Sequence, residues 1–225
     1  MPGYPVSVIA LVPPGVYAPQ EDTELLAGAL SDEPLPPGAE VLDVGTGSGA
    51  LALEAARRGS RVTAVDVSWS AVWAARLNAR VAGLPVRILH GNLFEPVRDE
   101  MFDVILANPP YVPAPDGHRR PPRGAARAWD AGGDGRLVVD RICRQAPGLL
   151  RPGGVLLLVQ SALSGPDLTV GQLRAAGLKA AVTRRRRIPL GPVLRGRERW
   201  LRERGLLSAA DDKEELVVVR AELPV

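Results

Sequence analysis

The sequence predicts an α/β fold built on a doubly wound sheet of seven strands, mostly parallel with an antiparallel edge strand. Three observations carry this. Short Val/Ile/Leu runs recur along the chain with helical stretches between them. The runs are near-continuously apolar instead of alternating, as strands covered on both faces are. A glycine-rich turn follows the first run and opens a helical stretch, the junction that defines Rossmann-like sheets.

The elements follow in order. Residues 21–30 (EDTELLAGAL) form a helix, with acidic residues in the first turn and Leu25, Leu26, Ala29 and Leu30 on one side. EPLPPG then breaks the chain. EVLDVG is a strand, SGALALEAARRG a helix stopped by Gly59, RVTAVDVS a strand, WSAVWAARLNARVAG a helix stopped by Gly83, and PVRILHGN a short strand. FDVILA is the fourth strand, RLVVDRICRQAPGLLRPGG holds a helix and its stop, and GVLLLVQ is the fifth strand. The tail differs: LTVGQLRAAG is helical, KAAVTRRRRIPL extended, GPVLRGRERWLRERGLL helical and EELVVVRAELP a closing strand. The two extended pieces, joined by an insertion, are expected to pair antiparallel at one sheet edge.

A chain of 225 residues with 46% apolar residues fits a single domain, 1–225, with an N-terminal extension and entrance helix over 1–35 and a core over 36–225. The single cysteine, Cys143, excludes internal disulfides and Cys-rich zinc clusters, and His90 and His118 lie far apart, so no metal is expected. The N-terminal stretch lacks a basic segment and a small-residue cleavage site, and no run reaches the ~18 apolar residues of a membrane span. A cytoplasmic protein is expected. Net charge is +3, and all but two of the basic residues are arginine. Arg119, Arg120, Arg123 and Arg127, the run Arg184 to Arg187, and the five arginines between 195 and 204 form local clusters. Such clusters suit a solvated face, contact with RNA, or an acidic protein surface.

DVGTGSG, residues 43–49, places glycines where a backbone can approach a ligand and where helix N–H groups point outward. On spacing alone Gly45, Gly47 and Ala50 satisfy the dinucleotide fingerprint. Asp43 argues otherwise: a carboxylate there opposes a pyrophosphate but attracts an ammonium or a sulfonium, and S-adenosyl-L-methionine carries both. Asp66, ending the next strand, is placed to accept from a ribose diol in either cofactor. Asn92, in HGNLFE after the third strand, can pair with an adenine edge, with Leu93 beside the ring.

The fourth strand ends in ANPPYV. A pair of prolines ends strand pairing on its own. At the carboxyl end of that strand, beside the topological switch point, the prolines have a second consequence. Neither can donate, so the Asn108 side-chain oxygen and the Pro109 carbonyl can converge as acceptors on one planar NH2 group, with Tyr111 against its plane. Holding both N–H bonds orients the nitrogen lone pair at a methyl carbon, which is catalysis by positioning without a strong base.

DVGTGSG, AVDVS and NPPY, in this order and spacing, resemble the class I S-adenosylmethionine-dependent methyltransferases that act on amino groups. Acceptors of such sites are adenine in DNA, guanine or adenine in RNA, and glutamine side chains; a small-molecule amine remains a further class. Two flanking segments favour glutamine. VYAPQEDTELL (16–26) resembles the "P-x-E-D-[ST]-x-L-L" helix of HemK-type protein-(glutamine-N5) methyltransferases, and AWDAGGDGRLVVDRI (128–142) their "W-x-G-G-x-x-G-x-x-x-[LI]-D" segment. The tail is similar to the short HemK2/Mtq2-like branch. The chain departs from the longer bacterial enzymes in lacking their helical N-terminal domain and in reading PQEDT where they read P-R-x-D-[ST]-E. The resemblance implies that Asp43, Gly45 and Gly47 line the methionine end of the cofactor, with Thr23 or Asp22 closing over it. It also implies that Asp66 holds ribose, Asn92 holds adenine, and Asn108, Pro109, Pro110 and Tyr111 hold the acceptor amide beside Trp129. Implied partners are a release-factor substrate and a small zinc-binding activator subunit.

Overall fold

The structure is a computed structural model, and it describes residues 11–115, 129–208 and 210–225. Seven strands form one sheet: β1 (Glu40–Val44), β2 (Arg61–Asp66), β3 (Val86–His90), β4 (Phe102–Ala107), β5 (Leu150–Ser161), β6 (Lys179–Pro189) and β7 (Lys213–Glu222). Their order is β3-β2-β1-β4-β5-β7-β6. The first five strands pair in parallel, and β7 runs antiparallel to both β5 and β6. The reversed strand therefore sits one place in from the edge, which β6 forms. The chain leaves β1 toward β2 and β3, then crosses to β4 on the other side, so the switch point lies between the carboxyl ends of β1 and β4.

Among the described residues six α-helices clothe the sheet: α1 (Glu21–Asp32), α2 (Ala50–Arg57), α3 (Trp69–Ala82), α4 (Val139–Gln145), α5 (Pro166–Ala175) and α6 (Pro192–Glu203). Leu26 and Leu30 of α1, Leu51 and Leu53 of α2 and Val72 of α3 pack with Val41, Val104 and Leu157 on one face. Ile142 of α4 and Leu173 of α5 pack with Leu42, Ile105 and Leu156 on the other. The alternation along β1, Val41 to one side and Leu42 to the other, places Asp43 on the α1–α3 side. Among the described residues no helix is long and apolar enough to cross a membrane.

The fifth strand begins at Leu150, four residues before the apolar run GVLLLVQ. Register slips between Phe102 and Val104 on the neighbouring β4, which absorbs the Pro152–Gly153 bend and lets Phe102 pair with Leu150. Within the stretch 191–207 the helix α6 occupies Pro192–Glu203, and its apolar side makes a separate small core with Val112 and Leu190 through Leu194 and Leu201.

The arginine run in β6 is placed by strand alternation. Arg184 and Arg186 face α1, where they pair with Asp32 and Glu24, while Arg185 and Arg187 on the other face pair with Glu215. Arg184 crosses α1 at Gly28, where an added Cβ would stand 2.9 Å from its guanidinium. Arg220 of β7 adds a bond of 2.7 Å to Glu33 at the far end of the same helix. The run thus clamps the entrance helix to the sheet. The cluster at 119–127 lies outside the described residues.

Candidate active site

Two buried acids flank the switch point. Asp43, the penultimate residue of β1, is 1% exposed. Its Oδ2 accepts from the Thr46 hydroxyl at 2.6 Å and from the Ala52 amide at 3.1 Å, whereas its buried Oδ1 has no partner. Burial pushes the carboxyl up to about 6, against the pull of those two hydrogen bonds, and the nearby Asp66 adds to the rise. A buried carboxylate oxygen left unsatisfied is costly, and a cation offered to Oδ1 removes the cost. The site therefore fits an ammonium and disfavours a phosphate.

The turn after Asp43 requires glycine for its backbone. Gly45 and Gly47 take φ of 74° and 56°, and the space beside the Gly45 Cα is open to 4 Å. The Gly47 amide donates to Asp66 Oδ2 at 2.9 Å, so the turn is tied to the end of β2. Asp66 Oδ1 accepts from the Ser68 amide at 2.8 Å. Each oxygen keeps a lone pair, which suits the acceptance of two vicinal hydroxyls. Burial raises this carboxyl as well.

Asn92 stands beyond β3, where its Nδ2 donates to Glu95 at 2.9 Å and its Oδ1 accepts from Arg141 at 3.2 Å. Its neighbour Leu93 takes φ of 52°, a conformation that costs a non-glycine residue about 1 kcal/mol.

At the end of β4, Pro109 is buried and Asn108, Pro110 and Tyr111 are half-buried. Asn108 Nδ2 lies 3.5 Å from the Thr23 hydroxyl oxygen, which leaves Oδ1 as the acceptor available to a substrate N–H. The Tyr111 hydroxyl donates to Asp22 Oδ2 at 3.0 Å, and the Tyr17 hydroxyl donates to the same oxygen at 2.7 Å. Burial first, then the Asp22 charge, holds both phenols well above their ordinary range, so both remain donors. The entrance helix thus meets NPPY through Asp22 and Thr23, which places Thr23 beside Asn108.

The segment after NPPY folds against it. Val112 and Asp130 form an isolated bridge, and the Val112 amide donates to the Trp129 carbonyl at 2.9 Å. A Cβ on Gly135 would stand 2.3 Å from the Tyr111 carbonyl oxygen, so only glycine permits this approach. Buried Arg136 fixes the segment from behind, donating to the Gly165 carbonyl at 2.9 Å and pairing with Asp140 at 2.7 Å. The Trp129 side chain packs into the small core beneath α6, which Arg197 secures by donating to the Pro113 carbonyl at 2.9 Å.

Structure thus brings Thr23, Asn108, Pro109, Pro110 and Tyr111 together on one side of the switch point and Asp43, Gly45, Gly47 and Asp66 on the other. Tyr17 and Glu214 belong to the same neighbourhood and went unread in the sequence. Tyr17 precedes Asp22 by five residues in VYAPQEDTELL, a usable signal; Glu214 lies within five consecutive charged residues, 211–215, at the start of a strand and carries no signal.

Known proteins resemble this chain over most of its length. The methyltransferase small domain matches residues 8–119. A Methanocaldococcus jannaschii protein bearing the name protein N5-glutamine methyltransferase is 34% identical over 182 residues, which cover 80% of this chain and 90% of the relative. The chain belongs to the HemK family of methyltransferases. Another HemK relative, the release factor glutamine methyltransferase of Deinococcus radiodurans, is 40% identical over 169 residues, 73% of this chain. This chain spans 57% of that enzyme's length and 60% of its Gloeobacter violaceus counterpart. Among solved structures, the E. cuniculi Mtq2–Trm112 complex, responsible for methylation of the eRF1 termination factor, matches with a TM-score of 0.65 at 25% identity, covering 93% of this chain and 99% of that one. The T. thermophilus 16S rRNA methyltransferase RsmC shares the fold, with a TM-score of 0.58 at 22% identity over 92% of this chain and 44% of that one.

Proposed function

We propose that this HemK family member uses S-adenosyl-L-methionine to methylate the amide nitrogen of a protein glutamine, with a translation release factor as substrate. The observation that carries the reading is the pairing of NPPY with Thr23 at the switch point, opposite the unpartnered Oδ1 of Asp43. The Methanocaldococcus and Deinococcus relatives support glutamine as the acceptor.

In this reading Asp43 Oδ1 takes the methionine ammonium, Gly45 and Gly47 allow the backbone approach, Asp66 accepts from the ribose and the Asn92 region borders the adenine. When bound, the cofactor supplies an electrophilic methyl group on a positively charged sulfur. Asn108 Oδ1 and the Pro109 carbonyl accept the two N–H bonds of the acceptor amide, while Pro110 and Tyr111 fix its plane. An amide lone pair is delocalised and poorly nucleophilic, so holding both N–H bonds in a geometry that favours tetrahedral nitrogen supplies the activation. On taking the methyl group that the cofactor would supply, the acceptor nitrogen held by Asn108 and Pro109 gives up one proton to water. Tyr111, held as a phenol by Asp22, takes no proton.

The E. cuniculi structure pairs Mtq2 with Trm112, and a small subunit of that kind is part of the proposal, as is a cytoplasmic setting. The test is methyl transfer from labelled cofactor to a purified release factor, with and without such a subunit, beside a variant whose target glutamine is alanine and beside total RNA. Label on the wild-type factor alone is expected. Label on RNA alone would replace glutamine with a nucleobase.

A further inference from the structure

Glu214, the second residue of β7, lies in the same neighbourhood and has no part in the methyl-transfer scheme. It is 6% exposed, and its Oε1 is buried without a hydrogen-bond partner. It shares the α1 face of the sheet with Ile188, its register partner on β6, and with Leu216. There it lies in the field of Asp22 and Glu21 from α1, and its own charge acts on the Tyr17 and Tyr111 hydroxyls. Ser161 of β5 is the neighbouring polar side chain that opposes the rise of its carboxyl. The cations of this face, Arg184, Arg186 and Arg220, are paired with Asp32, Glu24 and Glu33.

Asp22 is the better solvated of the two acids by its protein surroundings. It accepts from both phenols and from the Thr23 amide at 2.6 Å. Glu214, with its Oε1 buried and unpartnered, carries a high cost of ionising in this pocket. Burial pushes Glu214 up to about 7, Asp22 and Glu21 adding to the rise and Ser161 opposing it.

We propose that Glu214 is a positioning residue for methyl transfer, its proton allowing the Asp22–Tyr111 bond to hold the acceptor wall in place. The proposal rests on the reading of NPPY as the acceptor site. Once ionised, Glu214 adds a negative charge beside Asp22, and the cations of this face, Arg184, Arg186 and Arg220, are already committed to Asp32, Glu24 and Glu33. The strain is relieved by parting α1 from β7, which draws Asp22 away from Tyr111. The donors to Asp43 Oδ2, Thr46 and Ala52, belong to the turn after β1 and to α2, and they stay in place.

Glu214→Gln keeps the shape and the neutral state. For the wild type, kcat is expected to fall toward a tenfold loss per pH unit above about pH 7. In Glu214→Gln that fall disappears, while calorimetric cofactor affinity matches the wild type at each pH. A fall that persists unchanged in the variant overturns the proposal. Infrared difference spectra between about pH 6 and about pH 8, recorded without acceptor and with saturating cofactor so that Asp43 stays ionised, are expected to lose in the wild type a protonated-carboxyl band that is missing from Glu214→Gln. Absence of that band overturns the proposal even if the variant folds poorly. A normal band with no transfer to any glutamine removes the acceptor reading, and the positioning role with it.

Discussion

Asp22 and Asp43 are both buried aspartates beside the same switch point, 2% and 1% exposed, and they are finished differently. Asp22 is saturated: two phenols share one oxygen and Thr23 serves the other. Asp43 concentrates its donors on Oδ2 and leaves Oδ1 bare. Burial alone therefore does not separate an acid that braces the fold from one that awaits a ligand. For these two the count of donors on each oxygen does, because the bare oxygen of Asp43 is an expense the folded chain carries until a partner arrives.

The largest effect is expected from Asp43→Ala. Losing a buried charge partner costs about 2–5 kcal/mol, so cofactor affinity should fall by at least about thirtyfold in a calorimetric titration. Asn108→Ala tests the acceptor side of the same comparison. Methyl transfer in single turnovers should drop by about a hundredfold or more with cofactor affinity kept, as for loss of one preorganised polar group at a reacting centre. Wild-type turnover in that variant would leave NPPY as a strand stop.

The two acids also differ in what the sequence reveals. DVGTGSG, Asp66 and NPPY are legible because each chemistry is completed within a few residues, at the end of a strand whose apolar run can be read directly. The brace is not legible in this way. Asp22 and Tyr111 are 89 residues apart, and nothing in the composition of either segment announces that a phenol meets a carboxylate there. The fold explains the arginine run similarly. Arg184 finds Asp32 across 152 residues, and only the alternation of a strand at the sheet edge sends successive arginines to opposite faces. In sequence the same four residues read as a basic patch. Strand order is the intermediate case: seven strands and an antiparallel pair follow from pattern, whereas the insertion of β7 between β5 and β6 depends on long-range pairing.

Smaller effects sharpen the contrast. Tyr111→Phe removes one hydrogen bond to a charged acceptor and should lower stability by about 1.5–3 kcal/mol, read as a shift in the denaturant midpoint. The brace thus affects folding where Asp43 affects binding. For Asp43 the pH dependence has a definite sign. The fold raises its carboxyl from 3.8 to about 6, so the native protein without ligand holds more protons than the unfolded chain in that window. Its contribution to stability is full below 3.8 and declines as pH rises to about 6, when the buried group ionises. A bound ammonium reverses the penalty, so thermal stabilisation by the cofactor should grow from about pH 5 to about pH 7 and vanish in Asp43→Asn. Replacing Arg186 by alanine should change least, by about 0–1 kcal/mol, because its pair with Glu24 is solvent-accessible.

The most direct test titrates S-adenosyl-L-methionine by calorimetry into the wild type, Asp43→Asn and Asp22→Asn at neutral pH. The account predicts binding by the wild type and by Asp22→Asn, and none that can be titrated by Asp43→Asn. Retained affinity in Asp43→Asn, with binding lost in Asp22→Asn, would contradict it and make the phenol-braced acid the cofactor's partner.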